Sequence, residues 1–196
     1  MLTKTPSTLK KHGYQVLPHL ISNRTLKTLQ KNTLKFEGTK TEIRKNVFQT
    51  CSSTQATFKQ LEAYFKTQGL PCSMTNYCFY LSKSEQENWP LQFHQDTNLP
   101  GYLNLKEVLQ EQWLNNGFWV RINLDANDQY TGALKVIPKS HLKGKHSAFD
   151  KEKAIFLEVQ ESDVVLFSPL LYHGSDRMQK ASMRRVFQCF FLFRKA

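Results

Sequence analysis

At 196 residues, 40% of them hydrophobic, the chain can bury a sizeable core and is expected to fold as one domain. It contains no run of 18 apolar residues, which excludes a transmembrane helix, and the opening MLTKTPSTLKKHGYQ lacks the apolar stretch of a secretion signal, which points to the cytoplasm. The formal charge is +11, but the 27 Lys/Arg are spread rather than clustered, which favours solvated faces over a nucleic-acid-binding patch.

In chain order, Ser22 and Asn23 are capping residues ahead of a helix predicted over 24–35, with Leu26, Leu29 and Leu34 on its apolar side. Phe58, Leu61, Tyr64 and Phe65 have helical spacing in a second helix over about 54–68, which Gly69 and Pro71 end. A short third helix is expected from Lys106 to Trp113, after Asn104 with Glu107 three residues on. From about residue 73 most of the chain reads as strands. TNYCFYL, GFWVRINL, GALKVI, AIFLEV, DVVLFS and RVFQCFFLF are rich in β-branched and aromatic residues, with turn signals such as DANDQYTG and PKSHLKGK between them. Helices over about 1–70 and strands over about 73–196 predict an α+β, mainly β domain, with helices packed on an antiparallel barrel or sandwich. The C-terminal FQCFFLF run is expected to be a core strand buried on both faces. Cys51, Cys72, Cys78 and Cys189 form no C-x-x-C pair and read as reduced thiols without a metal.

The chemistry concentrates in two places. QFHQDT sets His94 and Asp96 two residues apart, and in extended backbone such residues share a face. A second histidine, His173, follows the buried-looking DVVLFSPLLY. Two histidines and one carboxylate make the facial set of non-haem Fe(II) oxygenases, which leaves coordination positions open for a co-substrate and O2. Zinc accepts the same set, so these three residues alone leave the metal open. Arg184, eleven residues past His173, offers a guanidinium for a carboxylate. Arg185 points the opposite way in a strand and is expected to pair with a surface acid.

With HQD at 94–96, GALKVIPKSH at 132–141 and LLYHGSD at 170–176 followed by the arginines, the chain resembles the phytanoyl-CoA dioxygenase family of Fe(II)/2-oxoglutarate oxygenases. The opening HGYQVLP resembles the family's usual start, so the likeness spans nearly the whole chain. It implies a double-stranded β-helix of the jelly-roll type, with the metal at the barrel mouth. It implies His94, Asp96 and His173 as iron ligands. It implies Arg184 for the distal carboxylate of 2-oxoglutarate, with a hydrogen bond from Ser175. The expected activity is hydroxylation of a small molecule, with O2 consumed and 2-oxoglutarate converted to succinate. Related halogenases have a small residue at the position of Asp96, so an aspartate there points away from halogenation. Lys139 departs from the family, whose loop has glycine at that place.

Four positions are read less directly. By alternation Trp119, Arg121 and Asn123 share one face of their strand, and Phe118, Val120 and Ile122 the other. Arg121 falls where the family is often aromatic and faces inward. It is either a second anion anchor, which would make Arg121 and Asn123 substrate-binding, or a salt bridge at a strand end. Tyr80 either hydrogen-bonds 2-oxoglutarate or is a core tyrosine. His141 is expected to hold its loop, and His12, His19 and His146 to lie at the surface. Substrate-determining loops are expected at 83–92, 97–117 and 142–153. The competing functions are a nucleic-acid or protein oxygenase on the same scaffold and a non-catalytic metal-binding barrel.

Overall fold

Phe118, Val120 and Ile122 turn to one side of their strand and Trp119 and Arg121 to the other, and this alternation organises the two cores of the protein. The computed structural model describes residues 7–36, 43–45, 47–98 and 107–194. The elements run α1 (Ser7–His12), β1 (Tyr14–Leu17), α2 (Asn23–Thr33), β2 (Ile43–Lys45), α3 (Val47–Thr50), α4 (Ser52–Thr67), β3 (Cys72–Lys83), β4 (Leu91–His94) and α5 (Glu107–Asn116). They continue with β5 (Gly117–Asn123), β6 (Leu134–Val136), β7 (Ile155–Leu157), β8 (Val164–Phe167), β9 (His173–Ser175) and β10 (Arg184–Phe193).

The strands form a six-stranded sheet in the order β1-β8-β5-β10-β3-β2 and a four-stranded sheet in the order β4-β9-β6-β7. Every pairing in both is antiparallel. This is the expected double-stranded β-helix with helices on one face. Phe58, Leu61 and Phe65 of α4 and Leu26 and Leu29 of α2 cover the outer face of the large sheet, meeting Phe118, Ile122, Phe187 and Phe191. A second core, built on Trp119, Val136, Phe167, Val186 and Phe190, fills the space between the sheets. Phe191 stacks edge-on with Phe65 at 6.0 Å, while its neighbour Phe190 meets Trp119 at 4.9 Å on the other side. Strand β10 is thus buried on both faces, as its composition anticipates.

Ser22 caps α2, its hydroxyl accepting from the Thr25 amide at 3.3 Å. Leu34 lies beyond the end of α2 and is 56% exposed, so it does not join the apolar side expected for it. Tyr64 is likewise partly exposed, because α4 buries the Phe58–Leu61–Phe65 stripe instead. The cap expected at Asn104 lies outside the described residues. The pair Arg185–Asp125 is bidentate, with Nε 3.0 Å from Oδ2 and Nη2 2.7 Å from Oδ1, as a residue facing away from the inner core requires.

Lys139 has φ +66°, the left-handed conformation that explains why glycine suits this loop. Its amide donates to His12 O at 2.9 Å, a bond glycine would keep. Lys139→Gly is therefore expected to stabilise the fold by about 0.5–1 kcal/mol. Urea denaturation reads this directly, and a lowered midpoint would show that the lysine side chain contributes more than its backbone costs.

Candidate active site

His94 ends β4 and His173 opens β9, and the two are register partners across the strand pair. Close approach of these strands depends on Gly174, where a Cβ would stand 2.6 Å from the Leu91 carbonyl. Asp96 lies just past the strand rather than in it, tied by its amide to Pro169 O at 2.9 Å. The strand reading of H-x-D therefore covers only His94, yet the two-residue spacing still returns the carboxylate to the histidines. Asp96 Oδ1 is 3.4 Å from His94 Nε2, and Oδ2 is 3.4 Å from His173 Nε2.

The three side chains fit a metal ion on their own geometry. Their donor atoms lie within 4.8 Å of one another. Each histidine has Nδ1 against a backbone carbonyl, His94 at 2.8 Å from Gln92 O and His173 at 2.9 Å from Leu171 O. A carbonyl can only accept, so Nδ1 carries the proton and the Nε2 lone pair is free for a metal. Asp96 Oδ2 is buried with no hydrogen-bond partner. Burial would raise the Asp96 pKa, but His173 and then His94 outweigh it and hold the carboxyl below its usual range. Burial lowers the pKa of His173 despite Asp96 beside it, and the neutral imidazole is the form that ligates.

These residues open into a cavity of about 100 Å³ that is also lined by Ser175, Arg184 and Arg121. Arg184 is 2% exposed, and burial brings its pKa down to about 10, which leaves it charged at neutral pH. One amine nitrogen donates to Gly132 O at 2.5 Å, and the Nε has no partner. Gly132, with φ +76°, turns the DANDQYTG loop so that this carbonyl faces the guanidinium. Trp89 lies beneath the guanidinium at 5.9 Å.

Lys83 escaped the sequence reading. Strand β3 runs two residues beyond TNYCFYL, and alternation from Phe79 and Leu81 carries Lys83 inward. Fully buried, it donates to Ser175 Oγ at 3.1 Å and Asp176 O at 2.7 Å. Burial, backed by the charges of Arg184 and Arg121, brings its pKa down to about 7. The polar look of LSKSEQEN hid it, although the two-residue period could have found it.

Two candidate residues are placed elsewhere. Tyr80 faces the helical side, stacked on Phe36 at 5.0 Å, because Phe79 and Leu81 take the inward positions of β3. It is the core tyrosine, not a contact for 2-oxoglutarate. Asn123 does not line the cavity; its amide nitrogen donates to Asp163 O at 3.1 Å, and its oxygen faces Arg121 Nε at 3.4 Å. It fastens the end of β5 and lies outside the cavity lining, where a substrate-binding residue is expected. His141 holds its loop as expected, with Nε2 3.0 Å from Lys10 O.

The family model for phytanoyl-CoA dioxygenase (PhyH) matches residues 9–186. No curated protein sequence matches the chain. Among solved structures, the chain is similar to the non-heme alpha ketoglutarate dependent carbocyclase SnoK from nogalamycin biosynthesis. That likeness has a TM-score of 0.73 and 17% identity, over 95% of this chain and 81% of that one. The epimerase SnoN of the same biosynthesis gives 0.73 at 13% identity, over 95% and 81%. HygX from Streptomyces hygroscopicus, solved with nickel and 2-oxoglutarate bound, gives 0.72 at 11% identity, over 96% and 86%.

Proposed function

The chain belongs to the phytanoyl-CoA dioxygenase family, and on that premise we propose that it hydroxylates a small-molecule substrate in an Fe(II)- and 2-oxoglutarate-dependent reaction. Iron, 2-oxoglutarate and O2 are the cofactor and co-substrates of the family. The observation that carries the proposal is one cavity joining the three donors of His94, Asp96 and His173 to the buried Arg184 and Ser175. When bound, Fe(II) supplies O2 activation coupled to decarboxylation of 2-oxoglutarate to succinate.

The protein's own residues hold and orient. His94, Asp96 and His173 would take three positions on one side of the ion. Arg184 would hold the distal carboxylate of 2-oxoglutarate, and Ser175 would support it through its hydroxyl. Phe79, Leu81 and Leu134 give the walls an apolar lining that limits water near the reacting groups. The whole chain is read as one oxygenase domain. No helix of the described residues is long and apolar enough to cross a membrane, and the four free, buried cysteines support a cytoplasmic place.

Turnover of 2-oxoglutarate against a metabolite library, followed by mass spectrometry, tests this reading. The expected product has gained one oxygen atom, with succinate formed in step. Chloride or bromide buffer should give no halogenated product, because Asp96 supplies a ligand where a halide would need a free position. The names of SnoK and SnoN favour a second outcome on the same site, cyclisation or epimerisation. A product with a new ring or inverted centre and no added oxygen would replace hydroxylation by that outcome. A halogenated product would overturn the role given to Asp96.

A further inference from the structure

Arg121 has the burial of a core residue and the charge of a ligand-binding one. It stands mid-strand in β5, 3% exposed, in the wall of the active-site cavity. Its contacts are weak: Nε lies 3.4 Å from Asn123 Oδ1 and one terminal nitrogen 3.5 Å from Gln188 Oε1, at the long edge of hydrogen bonding. Among the described residues no carboxylate pairs with it, so the salt bridge weighed from the sequence is not formed. Apart from His94, Asp96 and His173, its charged neighbours are also basic: Arg184 lines the same cavity, and Lys83 lies opposite Arg184 across the β3–β10 pair. A buried guanidinium left this incomplete is costly unless an anion from outside completes it.

Its position narrows which anion. Arg121 is the register partner of Gln188, four residues along β10 from Arg184, so the two guanidinium groups enter the cavity from backbone positions about 13 Å apart along the strand direction. Arg121 is one inward step along β5 from Trp119, whose strand partner Phe167 packs on the His173 ring at 5.1 Å, so it stands nearer the His173 end of the cavity than Arg184 does. A cavity of about 100 Å³ is small for a co-substrate and a separate acidic substrate together. We propose that Arg121 is a second anchor for the co-substrate, gripping the carboxylate at its metal-facing end while Arg184 holds the opposite one. The proposal rests on the reading of this cavity as the 2-oxoglutarate site. It makes Arg121 a binding residue for the 2-oxo acid and removes it from the substrate-binding set.

The test uses Mn(II)-loaded protein without turnover, titrated calorimetrically with 2-oxoglutarate and with oxalate, which offers a metal-chelating carboxylate pair but no distal one. Arg121→Met is expected to weaken both ligands by a similar factor, at least about tenfold. Arg184→Met is expected to weaken 2-oxoglutarate and leave oxalate nearly unchanged. Arg121→Gln, which keeps a polar partner for Gln188, should resemble Arg121→Met. Without ligand, the melting temperature of Arg121→Met should equal or exceed that of the wild type, since an incompletely paired buried charge is gone. Unchanged affinities in both Arg121 variants, or a loss confined to 2-oxoglutarate, would overturn the metal-end assignment. Wild-type protein that binds neither ligand would instead overturn the underlying reading of the cavity, and this proposal with it.

Discussion

Replacing His173 with alanine is expected to abolish Fe(II) binding while leaving the fold intact. In the wild type, anaerobic titration should reveal one site per chain, held by His94, Asp96 and His173. His173 supplies a buried imidazole whose Nδ1 is spoken for by Leu171 O, which leaves one nitrogen aimed at Asp96. Alanine removes that donor outright. Loss of a mere outer partner of a ligand costs roughly 10–100-fold in metal affinity, so loss of a ligand should cost more than that. His94→Ala should behave alike, because the two residues face each other across one strand pair with ring centres 4.3 Å apart. In both residues the orienting group is a backbone carbonyl, Gln92 O for His94 and Leu171 O for His173, which neither substitution removes. The His173 ring packs on Phe167 at 5.1 Å, and its removal costs some stability, which a thermal melt measures separately. Unchanged affinity in both folded variants would sink the metal assignment.

The parts of the site that could be read in advance are those where chemistry and spacing coincide. His94, Asp96, His173 and Arg184 sit in short motifs whose residue types are unusual beside apolar strands, and the structure gathers all four around one cavity. The alternation in GFWVRINL likewise separates Arg121 from Val120 and Ile122, and the structure keeps that division. What escaped were choices made by tertiary packing. TNYCFYL allows either Tyr80 or Phe79 and Leu81 to face inward. Only the docking of Phe36 and Phe187 beside Tyr80 selects the second. Lys83 was lost because a strand that ends in polar residues looks like a turn, whereas pairing with β10 carries β3 through to Lys83, opposite Arg184. Leu34 falls off the apolar face because α2 ends at Thr33, one residue before it. Asn123 sits on the correct face of β5, but its amide is engaged by the Asp163 carbonyl, a partner 40 residues away.

The adjacent arginines provide the sharpest test of register. Arg184→Ala should weaken 2-oxoglutarate binding to the Fe(II) protein by at least about 1.5–3 kcal/mol, the range for hydrogen bonds to charged groups. The visible charge-transfer band that co-substrate binding is expected to produce gives the measurement. Arg184 is buried, paired with no carboxylate among the described residues, and has an Nε without a partner in a cavity shared with His94, Asp96 and His173. Arg185 is committed elsewhere, its fork closed on Asp125 and its remaining nitrogen 3.3 Å from the Thr33 hydroxyl. Arg185→Ala should therefore leave co-substrate affinity nearly unchanged and lower stability instead, since it leaves a half-buried Asp125 without its guanidinium and unfastens β10 from α2. The two variants separate binding from folding by a single step along one strand. If Arg185→Ala lost the band and Arg184→Ala kept it, the inward face of β10 would be the wrong one, and the cavity, the register and the role of Gln188 would have to be reassigned together.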